Sequence, residues 1–224
     1  MRKFNFWVSI LVTILISSCS SSRFVKPLND GEQCVTATFG GPLITFSGMP
    51  IPVPLTNICY ARGFANEFTA FGSIHSTSLL FGVGHIEVGA LKGILKNDGW
   101  KPGVSISTSF QFMLDRWEWN SRFYPQLDAN VYWTYGKSHN IIYAGSNNLF
   151  DFNGTHPDGQ QQSTIYFPGL QIGHTFVRPK SNYQIEVKYL AMNISNQNLV
   201  VDYVGKSSMN QGAFGVYFTY QFKF

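Results

Sequence analysis

Hydrophobic and polar positions alternate through much of the chain. The last eleven residues place Phe214, Val216, Phe218, Tyr220, Phe222 and Phe224 on one side, with Gly215, Tyr217, Thr219, Gln221 and Lys223 on the other. A period of two is the mark of a β-strand with one apolar face and one largely polar face. The pattern recurs upstream. Val104, Ile106, Thr108, Phe110, Phe112 and Leu114 oppose Gly103, Ser105, Ser107, Ser109 and Gln111. Phe123, Leu127, Ala129, Val131, Trp133 and Tyr135 oppose Arg122, Gln126, Asp128 and Asn130. Tyr183, Ile185, Val187, Tyr189 and Ala191 oppose Gln184, Glu186 and Lys188. Ten candidate strands follow, near 34–47, 53–62, 67–76, 80–91, 103–114, 122–135, 139–145, 163–176, 181–192 and 212–224. The first four and the seventh are less regular, so the count is eight or ten, with ten preferred. No helix of useful length shows a 3.6-residue period, and no internal repeat or low-complexity segment is present.

Alternation does not say which face points where. A soluble lipocalin-like barrel turns its apolar face inward, whereas a membrane barrel turns it outward against lipid. The polar faces decide between them. A water-exposed surface should be rich in Lys and Glu, yet the fifth strand offers Gly, Ser and Gln, and the eighth offers Gly169, Gln171, Gly173 and Thr175. Small uncharged residues suit the crowded lumen of a narrow barrel. The few charges on these faces, Asp128, Glu186, Lys188 and Lys223, could pair across it. The expected fold is therefore all-β, an antiparallel up-and-down transmembrane β-barrel.

Connection lengths agree in the second half of the chain. Only GKS separates strands six and seven, and VRPKS strands eight and nine. Their neighbours are long: GSNNLFDFNGTHPDGQQQ and NISNQNLVVDYVGKSSMNQG. Short periplasmic turns alternating with long extracellular loops are expected of bacterial barrels, with both chain ends periplasmic for an even strand number. KGILKNDGWKP fits less well, being long on the short-turn side. Trp100, Trp133 and Tyr135 at one end, and Trp117 and Trp119 in DRWEWNS at the other, would form two interfacial girdles.

The first residues carry Arg2 and Lys3, then an apolar stretch from Phe4 to Ile16, too short to span a bilayer and laid out as a secretory signal peptide. Ile16-Ser17-Ser18-Cys19 resembles the lipobox of bacterial lipoproteins, which implies acylation of Cys19 (a palmitate-type modification), a signal peptide over 1–18 and a polar linker over 19–33 before a barrel domain over 34–224. Ser20 after the cysteine implies outer-membrane retention by the lipoprotein sorting machinery. Phe218, Tyr220, Phe222 and Phe224 resemble the C-terminal recognition signal of bacterial outer-membrane β-barrels. That resemblance implies a last strand read by the barrel assembly machinery and paired with the first strand to close the sheet.

Charge and cysteine content narrow the function. Without Arg2 and Lys3, 14 of the 16 basic side chains remain against 12 acidic ones, a net charge of +2. A nucleic-acid partner normally needs a clustered basic face, so none is expected; the expected partner is outer-membrane lipid. Beyond a signal peptide the compartment is oxidising, and Cys34 and Cys59 are either a disulfide or two separately buried thiols. Their spacing suggests no metal site, and no cofactor is expected.

Small barrels have interiors filled by side chains, so no wide pore is expected. The leading reading is a lipid-anchored outer-membrane barrel with a structural or interaction role, through extracellular loops around 146–162 and 193–211. One alternative is a periplasm-facing, lipid-tethered lipocalin-like binder of an apolar ligand. A second is an enzyme modifying acyl groups of lipid A or phospholipid, built from Ser, His and an acid. His75, His85, His139, His156 and His174 are available, with Ser76 beside His75 and Glu87 on the face of His85. Such a set is recognised by geometry rather than spacing, and the plainer reading is no enzyme. Asn153-Gly154-Thr155 and Asn193-Ile194-Ser195 match the glycosylation sequon, irrelevant behind a bacterial lipoprotein signal. Asp151 and Asp158 match no calcium spacing.

Overall fold

The computed structural model describes residues 24–154, 161, 163–196, 202–205 and 211–224. The expected signal peptide, the expected acylation site Cys19, His156 and Asp158 lie outside these residues. Strands follow in the order β1 (Gln33–Phe46), β2 (Met49–Pro52), β3 (Thr56–Phe64), β4 (Phe68–Ile74), β5 (Val83–Leu95), β6 (Gly103–Asp115), β7 (Ser121–Tyr135), β8 (Asn140–Phe150), β9 (Tyr166–Val177), β10 (Ser181–Ser195) and β11 (Gln211–Lys223). One short helix, α1 (Ser76–Leu80), follows β4. Every wall strand pairs antiparallel with its neighbours, and β11 pairs with β1 from Cys34↔Lys223 to Pro42↔Gly215. The sheet is closed. Its wall has ten strands, since β2 pairs only with Leu43–Phe46 of β1 as a small hairpin.

All ten candidate strands exist, with shifted ends. The seventh was expected to stop at 145, but β8 runs to Phe150 because Ser146 to Leu149 stay in register with Gln126 to Ala129. The fourth, expected over 80–91, runs from Val83 to Leu95, so the awkwardly long KGILKNDGWKP shrinks to a turn over 96–102. Turns 65–67, 96–102, 136–139 and 178–180 share one end of the barrel with residues 24 and 224, here called the short-turn end; the helix Ser76–Leu80 and the 116–120 turn belong to the other, here called the long-loop end.

Outward and inward faces are unambiguous. Phe110, Val187, Phe218 and Phe222 leave between 40% and 48% of their surface uncovered, while Ser107 and Gln184 are each only 2% exposed. The apolar face is outside, which overturns the lipocalin-like alternative, whose ligand site needed those side chains within. A belt of exposed Ile, Val, Leu, Phe and Tyr around a soluble protein would be an aggregation hazard; around a closed barrel with no free edge it is a lipid-facing surface.

The lumen is narrow enough that large inward residues need small partners. Tyr132 lies across Gly103, its register partner, and Tyr143 across Gly173, likewise opposite it. A Cβ on either glycine would run into the tyrosine ring or hydroxyl. An aromatic laid over glycine on the neighbouring strand fills the lumen without pushing the wall apart.

The polar linker expected over 19–33 is corrected where it is described. Phe24, Val25 and Leu28 are buried inside the short-turn end. Phe24 and Leu28 join Cys34, Cys59, Ala61, Phe71 and Leu91 in one apolar cluster, and Val25 joins Tyr132, Ile141 and Tyr143 in another. Leu28 N donates to Thr69 Oγ1 at 2.9 Å, and Ser105 Oγ donates to the Val25 carbonyl at 2.6 Å. Lys223 reaches Glu32 at 3.3 Å. The segment is a plug, and three apolar residues without periodicity gave no sign of it in sequence.

The disulfide is also corrected: no bond joins Cys34 and Cys59, and both are buried thiols. Cys34 pairs with Ala61 and Thr36 with Cys59, so the two cysteines are diagonal across β1 and β3. Diagonal positions lie about 7–8 Å apart, beyond the usual reach of a disulfide.

Candidate functional site

Two runs of hydrogen-bonded side chains stand out on the inward faces of the described wall strands. Because side chains of a strand alternate, residues two apart stack along the lumen. On β10 this aligns Asn182, Gln184, Glu186 and Lys188. Lys188 Nζ lies 3.2 Å from Glu186 Oε1, and Tyr143 OH donates to Glu186 Oε2 at 2.7 Å. Gln184 donates to the Tyr143 hydroxyl at 2.6 Å and accepts from Gln221 at 3.0 Å, and Asn182 donates to Gln221 at 3.0 Å. The Lys188 ammonium also sits 5.2 Å from the centre of the Tyr217 ring. Ion pair, phenols and amides together satisfy charges that would be costly to bury alone.

The second network starts near the long-loop end and runs across β5, β6, β7 and β8. His75 and His85, on neighbouring strand ends, stack with ring centres 3.6 Å apart and planes 4° from parallel. Glu87 Oε2 lies 3.8 Å from His75 Nε2 and accepts from Ser73 Oγ at 3.2 Å. His85 Nε2 is 3.2 Å from Gln111 Oε1. Gln111 Nε2 donates to Gln126 Oε1 at 2.9 Å, Gln126 Nε2 to Asp128 Oδ1 at 2.8 Å, and Asn147 Nδ2 to the same oxygen at 3.1 Å. On its other side, His85 Nδ1 lies 3.4 Å from Ser78 Oγ of α1.

The histidine and serine candidates are thus partly brought together. His75, His85 and Glu87 share one buried cluster, but Ser76 is not its serine: Ser76 Oγ lies 2.8 Å from Thr56 Oγ1 and donates to the Thr56 carbonyl. Ser78 takes that place, although spacing singled out neither it nor Gln111. A one-turn helix after β4 reverses the chain so that position 78, rather than 76, returns over His85. His139 sits exposed in the 136–139 turn. His174 lies on the outer face, where its Nε2 is 2.6 Å from the Tyr135 hydroxyl, which accounts for a histidine on an apolar face. Asp151 caps its own turn, accepting from Asn153 N at 2.9 Å. Among the described residues no three His, Cys, Asp or Glu side chains are grouped to hold a metal.

The C-terminal aromatics all face outward along the closing seam. Phe218 pairs with Phe39, Tyr220 with Ala37 and Phe222 with Val35, and Phe224 N donates to the Gln33 carbonyl at 3.1 Å. Trp100 and Tyr135 are exposed at the short-turn end, with Trp133 Nε1 donating to the Trp100 carbonyl at 3.2 Å, while Trp117 and Trp119 are exposed at the other end.

No family model matches the chain, and no curated protein matches it. Two solved structures align along most of it. One is Ail, the attachment invasion locus protein of Yersinia pestis, solved with the heparin analogue sucrose octasulfate; it is 11% identical, with a TM-score of 0.29 over 87% of this chain and 99% of its own. The other is the outer membrane protein OprG from Pseudomonas aeruginosa, 11% identical, with a TM-score of 0.29 over 90% of this chain and 99% of its own. The closed ten-strand antiparallel barrel rests on the pairing of the strands themselves, not on these likenesses.

Proposed function

We propose that this chain is a bacterial outer-membrane β-barrel, held additionally by an acyl chain on Cys19, whose role is structural or one of interaction through the loops of its long-loop end. The single observation that carries this reading is the inversion of a soluble protein's surface: aromatic and branched aliphatic residues ring the outside while Asn, Gln, Ser and paired charges fill the inside. A cross-braced lumen leaves no wide aqueous path, so the surface available for work is the loops. Both chain ends then face the periplasm. Acylated Cys19 sits in the inner leaflet, a few residues from the plug.

The test begins with isolated outer membranes. The barrel should stay with the membrane through high-pH and urea extraction, and unboiled protein should migrate apart from boiled protein on a detergent gel, as closed barrels resist the detergent until heated. Release by urea, or identical mobility before and after boiling, would overturn the membrane reading. Conversion of Cys19 to Ser should remove the acyl mass and leave the mobility shift intact.

A further inference from the structure

We propose that Ser78, His85 and Gln111 form a nucleophilic ester-cleaving site at the long-loop mouth of the barrel. The inference goes beyond the structural role above and needs no particular orientation in the membrane. It rests on how the second lumen network fixes one proton. The Asp128 carboxylate can only accept, so Gln126 turns its Nε2 toward it at 2.8 Å. Gln126 therefore offers Oε1 to Gln111, which donates its own Nε2 at 2.9 Å. Gln111 is left presenting Oε1 to His85 Nε2 at 3.2 Å, and an amide oxygen there requires the proton on Nε2. The accepting lone pair of His85 is then on Nδ1, and 3.4 Å from Nδ1 is the Ser78 hydroxyl. Three side chains on two adjacent strands select one imidazole tautomer, and it is the tautomer that can take a proton from serine.

The surroundings suit that task. His85 is fully buried, so its ring is held, while Ser78 is half-buried and reachable. A hydroxyl at 3.4 Å is long for a working hydrogen bond, but nucleophile–base pairs are often loose before substrate arrives. When His85 becomes a cation it lies against the ring of His75, whose Nε2 is 3.8 Å from the Glu87 carboxylate. A buried negative charge next to the stack attracts that transient cation.

The chemistry needs only water. Ser78 Oγ attacks the acyl carbonyl as its proton passes to His85 Nδ1. The carbon–alkoxy bond then breaks, and the alkoxide leaves as an alcohol with that proton. Water attacks the acyl-serine, gives a proton to Nδ1, and frees a carboxylic acid as the proton returns to Ser78. The substrate class follows from the neighbours of Ser78. Leu79, Leu80 and Phe81 project exposed beside it, and Arg116, stacked 4.7 Å over Trp117, packs against Gly82. Apolar residues next to one cation fit the acyl ester of an anionic amphiphile.

A long-chain alkyl fluorophosphonate probe, applied to the folded full-length protein in detergent micelles, tests the proposal by mass spectrometry. The expected result is a covalent adduct on the peptide carrying Ser78, absent from S78A, and at least tenfold slower labelling in H85A. The gel-mobility shift checks that each variant remains folded. Gln111 acts as a positioning residue: 15N shifts of His85 should show the Nε2–H tautomer, and Q111L should give a mixture. Folded wild-type protein without an adduct on Ser78 overturns the proposal, whether or not any variant folds, as does labelling of equal rate in a folded H85A.

Discussion

At the scale of single residues, the lumen holds a fully buried ion pair, Lys188 with Glu186, both on β10 and two positions apart. Removing one partner of a buried pair typically costs about 3–5 kcal/mol, because the survivor's charge stays desolvated, whereas removing both can be nearly neutral. K188M should therefore lower the urea midpoint of the detergent-folded barrel by an amount corresponding to about 3–5 kcal/mol. E186Q/K188M should recover much of that loss, since the new amide at position 186 would keep a partner in the Tyr143 hydroxyl. Equal losses in the single and double variants would mean that the pair is not the stabilising unit. The alternation in YQIEVKY already put both charges on the polar face; that they meet each other could not be read there. Neighbours along one strand are set by the period of two, while neighbours across a barrel depend on its diameter and stagger.

At the scale of elements, the plug is the clearest departure from expectation. A segment of about nine residues bearing Phe24, Val25 and Leu28 among Lys, Pro, Asn and Asp reads as a tether, because it has no period. It docks because the inward faces of β1, β3, β4 and β5 at that end are apolar, with Cys34, Ala61, Phe71 and Leu91 requiring cover. L28D should undock it, as a carboxylate would be buried in an apolar cluster with no cation beside it among the residues of that cluster. Cys34 and Cys59 should then react with a maleimide at least tenfold faster than in the parent, whose thiols are sealed. Unchanged labelling with the mobility shift retained would show that the floor is sealed by something other than the plug. The strand elements, by contrast, were visible in outline. Their ends were not, because a strand such as β8 continues past its regular alternation for as long as its neighbour supplies hydrogen bonds.

At the scale of the whole molecule, the two networks and the plug fill the lumen with buried side chains. Tyr132 and Tyr143 lie over Gly103 and Gly173 of the neighbouring strands, and the carboxylates of Glu186 and Asp128 accept from donors on β8. In planar bilayers the protein should show no steps of open-porin size; a stable step of that size would mean that the braces do not span the barrel. The same packing bears on the proposed role, which places contact with partners on the loops rather than within a lumen filled by side chains. The loops expected to carry binding, around 146–162 and 193–211, do not include Ser78, which lies in the short helix Ser76–Leu80. The site itself, Ser78 over His85, was assembled by the one-turn helix, and no spacing rule leads from HSTS to that contact.

The amino-acid order by itself determined the inside–outside assignment and, within two, the strand count, because the period of two sorts residues onto two faces and the small uncharged residues of the polar face suit a crowded lumen rather than a water-exposed surface. Tertiary structure decided everything that depends on which strands lie opposite one another. The unjoined thiols follow from the register of β1 on β3, the docked plug from the apolar inward faces at one end of the barrel, and Ser78 over Ser76 from the turn of a short helix above β5, none of which a pattern of polarity along the chain encodes.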